Sequence, residues 1–180
     1  MTGFEALVLD GQGRPLPPGE EGALWFRDLS GRGVRYHGLA ADSPEPGLFT
    51  LGEIGRVDAD GYVWITDRHS DMVVSGGVNL YPAEPEAVLA QHPGVADVAV
   101  IGVPDADMGE ALHALVVPAV SGHPSPGAAE LDGFCRGRLA APKCPRSYEF
   151  VTTLGRNAMG KLDKRALRRP YWPTGRTIGG

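Results

Sequence analysis

From Gly155 to Arg169 the chain reads GRNAMGKLDKRALRR, with six Lys or Arg residues against one Asp from Arg156 onward. Two chemistries suit such a stretch. It can be a solvated helix face, or it can gather cations for an anionic phosphate, with lysine as a point charge and arginine as a planar fork. Lys161 stands out because Gly160 precedes it and frees the loop. A second candidate is Ser75-Gly76-Gly77, between DMVV and VNLY. Adjacent glycines suit a tight hairpin, and they also let a backbone approach a ligand closely.

The elements that must position these groups fall into two textures. Met1 to about Thr66 reads as short strands and tight turns: FEALVLD and ALWFRD alternate, and EIGRVDADGYVWITD is a hairpin candidate turning at Asp58-Ala59-Asp60-Gly61. Gly61 sits where a positive φ is needed. No helical pattern is there to cover these strands, so they read as part of a larger β-structure. From Asp67 to Arg169 the pattern mixes. PAEPEAVLAQH is helical, with Pro82 and Pro85 tolerable near its start and Glu84 and Glu86 as helix-start charges. VADVAVIGV, ALHALVVPAV and SYEFVTTL are strands. Leu131, Phe134, Cys135 and Leu139 recur at helical spacing between Ala128 and Leu139, and KLDKRALRR is a short terminal helix. The expected fold class is α+β: a small mixed sheet covered by helices, preceded by a β-rich hairpin subdomain. The expected divisions are 1–67, 68–170 and a loosely held tail, 171–180.

At 180 residues, with 42% hydrophobic and 22% charged residues, the chain suits one soluble domain, or one domain plus a smaller satellite. A net charge of -5 argues against general nucleic-acid affinity. The apolar runs are too short to span a bilayer, and no leader pattern opens the chain, which makes a cytoplasmic setting the default. Cys135 and Cys144 fit neither a disulfide framework nor a metal site, and Cys135 reads as core packing. The five histidines lack metal spacing, and His92, in a helix-ending HPGV, reads as structural.

Several stretches, in order, resemble the C-terminal part of acyl-CoA synthetases in the adenylate-forming superfamily. LGEIGRVDADGYVWITDR resembles the family's Thr-Gly-Asp segment, strand and Asp-Arg end. DRHSDMVVSGGVNLYPAEPE resembles the hinge and glycine loop, HPGVADVAVIGVPDADMGEALHALVVP the helix end and sheet that follow, and PKCPRSYEFV with GRNAMGKLDKRALR the terminal lysine motif. The resemblance covers about residues 4 to 169. It implies attack of a carboxylate on ATP to give an acyl-adenylate and pyrophosphate, then displacement of AMP by the thiol of coenzyme A. It also implies a C-terminal domain that rotates between the two steps.

Carried over by motif, Lys161 is the adenylation lysine, and Glu53 with Arg68 the ribose contacts of ATP. Glu53 replaces an Asp, and Leu51 stands where Thr is common. Ser70 occupies the hinge, where the family commonly has Asp or Lys. Ser75, Gly76 and Gly77 line the pantetheine tunnel. Arg156, Lys164 and Arg165 could meet CoA phosphates, though no motif match fixes which, and Gly155 replaces a proline. The resemblance implies ATP, Mg²⁺ and coenzyme A as cofactors, with the Mg²⁺ site and most of the ATP site on an N-terminal AMP-binding body in cis or in trans. The phosphate-loop and acyl-pocket motifs of that body are absent from this sequence. Three readings follow: the C-terminal part of an acyl-CoA synthetase, inert alone; a module that docks in trans; or a binding domain that no longer catalyses.

Overall fold

The computed structural model describes residues 3–30, 45, 47–120, 125–156 and 160–172. The chain divides into two compact units, Met1–Ser70 and Asp71–Gly180. The division falls after Ser70 rather than at the expected 67/68. Arg68 completes a strand of the first unit, and the His69 N–H is given to the Gly52 carbonyl at 2.8 Å.

The first unit is an antiparallel sheet built from β1 (Phe4–Leu9), β2 (Gly22–Asp28), β3 (Leu48–Phe49), β4 (Glu53–Val57) and β5 (Val63–Arg68). Its order is β1-β2-β4-β5, with β3 also on β2. The β4–β5 hairpin turns where the sequence places it. Gly61 has φ of 82°, and Asp58 Oδ1 accepts the N–H groups of Asp60 and Tyr62. Among the described residues this unit has no helix.

The second unit contains β6 (Val73–Ser75), β7 (Val78–Leu80), α1 (Ala83–Leu89), β8 (Val95–Asp105), β9 (Gly109–Pro118), α2 (Ala128–Arg136), β10 (Ser147–Phe150) and α3 (Lys164–Arg168). β8 and β9 form a long antiparallel hairpin, β6 meets β9 at Ser75–Gly109, and β10 runs parallel to β9. The sheet is therefore mixed, and the fold is α+β. The two long strands read as nearly unbroken apolar runs because both sheet faces are covered. On one face Val98, Val100, Leu112, Ala114 and Val116 pack with Leu89 of α1 and Leu131 and Cys135 of α2. On the other, Ala99, Ile101 and Leu115 pack beneath Leu154, Leu162, Leu167 and Tyr171 of the terminal segment.

Two expectations need correction. α2 stops at Arg136 instead of reaching Leu139, because Gly137 caps it; Leu139 still packs on the core through the following turn. The start of the expected loose tail is docked. Tyr171 packs on the sheet, and Trp172 Nε1 donates to the Gly102 carbonyl at 2.9 Å. Residues 173–180 lie outside the described residues.

Candidate functional site

Lys161 is exposed on a turn between β10 and α3. Gly160, with φ of 75°, turns the backbone in a conformation that suits glycine. Around it, Arg156 and Leu162 form an antiparallel bridge, and Arg156 Nη1 donates to the Gly160 carbonyl at 2.9 Å. On the far side, Asp163 caps α3 by accepting the Ala166 N–H at 3.0 Å. The lysine thus sits on a local scaffold fastened before and after it.

Three of the neighbouring cations are engaged within the fold. Arg156 Nη2 donates to both carboxylate oxygens of Asp97, at 2.9 and 2.7 Å. Lys164 Nζ lies 2.9 Å from the Glu86 carboxylate, and both side chains are mostly buried. Glu86 Oε1 also accepts the Val100 N–H at 2.7 Å, so its role exceeds that of a helix-start charge. Arg168 pairs with Asp71 at 3.0 Å, also mostly buried. Of the three residues expected to meet CoA phosphates, Arg156 and Lys164 face carboxylates, and Arg165 is exposed. The carboxylate partners Asp71, Glu86 and Asp97 carry no motif of their own, and the alternation of charge in sequence does not reveal them.

Ser75, Gly76 and Gly77 close the β6–β7 hairpin, with Ser75 paired to Val78. Both glycines have positive φ, 56° and 80°, as a two-residue turn of the primed type requires. Ser75 is buried and both glycines are exposed. The loop is also tied to the β8–β9 turn. Gly76 N–H is given to the Met108 carbonyl at 2.9 Å, and a Cβ at Gly76 would lie 2.6 Å from Met108 Cε. The buried Glu110 accepts the Val74 N–H at 3.3 Å. The hairpin role is met in full, and the loop still presents two backbone units without side chains.

In the first unit, Glu53 and Arg68 are cross-strand partners on β4 and β5. Arg68 Nε lies 3.6 Å from Glu53 Oε1, an ion pair without hydrogen-bond geometry. The carboxylate is partly buried and the guanidinium largely exposed. Thr50, which motif reading passes over, shapes the turn before Glu53: its Oγ1 donates to the Leu24 carbonyl at 2.7 Å and accepts the Gly52 N–H at 3.0 Å. Leu51 is exposed beside it. Ser70 is the last residue of this unit and lies outside any strand or helix.

His92 and the two cysteines serve packing. His92 Nδ1 accepts the Gly94 N–H at 3.1 Å, and its ring packs edge-on against Phe134. Cys135 and Cys144 are both free and buried. Burial pushes both thiols up from their ordinary value, so neither is a ready nucleophile. Among the described residues no group of three His, Cys, Asp or Glu side chains is placed to hold a metal ion. Among them too, no helix is long and apolar enough to cross a membrane.

Residues 84–161 match the family described as the AMP-binding enzyme C-terminal domain. The chain belongs to the adenylate-forming enzymes. Over 173 residues it is 43% identical to the fatty acid–acyl-carrier-protein ligase ScoC of Streptomyces coeruleorubidus, covering 94% of this chain and 33% of that one. A methyl-dioxo-octahydroindenyl-propanoyl:CoA ligase of Rhodococcus jostii is 51% identical over 93% of this chain and 31% of its own. The crystal structure of ATP-bound MatB from Rhodopseudomonas palustris superposes with a TM-score of 0.82 at 34% identity, covering 95% of this chain and 34% of MatB. These relatives fix the family, and the chain corresponds to a C-terminal portion of its members. It spans about a third of the length of the relatives it matches.

Proposed function

We propose that this chain is the C-terminal part of an acyl-CoA synthetase, supplying the adenylation lysine and the glycine loop of a two-step reaction. In the first step the carboxylate oxygen of an acid attacks the α-phosphorus of ATP, and the bond to pyrophosphate breaks. Lys161 would place its ammonium beside the oxygens that gain charge. In the second, the thiol sulfur attacks the acyl carbon and AMP leaves; the exposed backbone of Gly76 and Gly77 would border the pantetheine arm. Glu53 would accept hydrogen bonds from the ribose hydroxyls, with Arg68 beside it. Thr50 holds the turn that leads into Glu53. Ser70, at the junction of the units, would absorb the change in φ and ψ as the second unit reorients between steps.

The observation that carries this reading is the placement of Lys161: exposed, one residue after a positive-φ glycine, on a turn fastened at both ends. A solvated lysine on a helix face needs no such fastening. The CoA phosphates would fall to Arg165, since Arg156 and Lys164 face carboxylates. Mg²⁺, most of ATP and the acid would be held by the N-terminal body of the assembled enzyme. A carrier-protein phosphopantetheine is a second acceptor to weigh beside free CoA, because ScoC is named an acyl-carrier-protein ligase. Two free, buried cysteines suit a reducing cytoplasm.

ATP–pyrophosphate exchange with a panel of carboxylic acids tests the proposal. The chain alone is expected to give none. With a family N-terminal body added in trans, exchange should appear, and Lys161→Ala should lower it about 10²–10³-fold. Exchange that survives Lys161→Ala would remove the lysine from the first step.

A further inference from the structure

We infer that Arg156 is a positioning residue for Lys161 and not a phosphate ligand. This rests on the reading of Lys161 as the adenylation lysine. One guanidinium spans two groups. Nη1 holds the Gly160 carbonyl, the peptide unit directly before Lys161, at 2.9 Å. Nη2 holds both oxygens of Asp97 on β8, at 2.9 and 2.7 Å. The carboxylate is itself fixed: Asp97 Oδ1 accepts the Val98 N–H at 3.0 Å, at a bulge where the β8–β9 register shifts. Bulges re-aim side chains. A line of bonds therefore runs from the rigid central hairpin, through one side chain, to the backbone that carries the lysine.

Only an arginine performs both tasks. Its donors sit in a fixed planar fork, whereas a lysine ammonium at this position keeps the charge and loses the simultaneous reach. Asp97 already balances the guanidinium charge, and turning it toward a phosphate would release the Gly160 carbonyl. The pair is partly exposed, and such pairs add little to stability. Its value is geometric: misplacing a catalytic group by about 1 Å can cost about a hundredfold in rate.

Two measurements test the inference. The first needs no activity. In the 180-residue chain the Asp163 N–H is given to the Gly155 carbonyl across this turn, at 3.4 Å. In Arg156→Lys and Asp97→Asn, hydrogen exchange at Asp163 should quicken about tenfold while β8 and β9 amides keep their protection. Unchanged exchange at Asp163 would overturn the clamp. The second uses the body supplied in trans. Arg156→Lys should lower kcat for pyrophosphate exchange about ten- to a hundredfold with KM for ATP unchanged. Normal exchange with a raised KM for CoA would make Arg156 a phosphate ligand and sink the proposal. If Lys161→Ala leaves exchange intact, the underlying reading of Lys161 fails; if wild type gives none, docking in trans fails; in either case hydrogen exchange alone still decides the clamp.

Discussion

Gly55 and Gly133 both lie inside regular elements and make opposite demands on a methyl group. A Cβ at Gly55 would lie 2.1 Å from the Trp64 carbonyl oxygen and 2.8 Å from Leu24 Cδ1. Gly55→Ala should therefore cost about 2–3 kcal/mol, read as a lower urea midpoint. Gly133 is exposed in α2 with nothing within 4 Å of an added Cβ, so Gly133→Ala should gain about 0.5–1 kcal/mol. The contrast is invisible in sequence, because it depends on what lies across the sheet. His113 is another residue whose role needs the fold. Its Nδ1 lies 2.7 Å from Ser147 Oγ, and its Nε2 lies 3.3 Å from the Tyr171 hydroxyl and 3.5 Å from Glu149. Burial holds its pKa below the ordinary 6.5, and the charge of Glu149 opposes this with smaller effect. Near that value the unfolded chain binds a proton that the fold refuses. The contribution of His113 is thus complete above pH 6.5 and is lost as pH falls below it. His113→Gln should flatten the fall in urea midpoint between about pH 7 and about pH 5. An equal slope in both proteins would show that other groups set it.

At the scale of elements, α3 is the instructive case. Its five residues are too few for a helix to persist alone. It is held by Leu162, Leu167 and Tyr171 against the sheet, and by the pairs Lys164–Glu86 and Arg168–Asp71. Lys164→Ala leaves Glu86 mostly buried without that cation and should cost about 2–3 kcal/mol, measured by thermal or urea unfolding. A cost near zero would return Lys164 to the surface cations. The apolar runs of β8 and β9, the glycine hairpin and the prolines of α1 were all legible, because local pattern and backbone chemistry determine them. The ion-pair partners were not. Lys164 and Glu86 are 78 residues apart, and Arg156 and Asp97 are 59 apart. Nothing local marks which carboxylate a cation will meet. The end of α2 misled for a related reason: Leu139 keeps the apolar period after Gly137 has ended the helix.

For the molecule as a whole, the order of motifs made the family legible, since two units and several turns must agree at once. The acyl substrate was not, because the chain spans only about a third of its relatives. Truncation after Pro170 is expected to remove the bond from Trp172 to Gly102 and the packing of Tyr171, at a cost of about 2 kcal/mol. Urea unfolding of the second unit measures it. The position of Trp172 also gives the protein an optical asymmetry. Of the three tryptophans, Trp25 and Trp64 lie in the first unit, and Trp172 is the lone indole of the second. With Trp25 and Trp64 changed to Phe, the remaining emission comes from a ring held against the sheet by the segment that begins at Lys161. Its wavelength would follow the docking of that segment in real time, with no label attached.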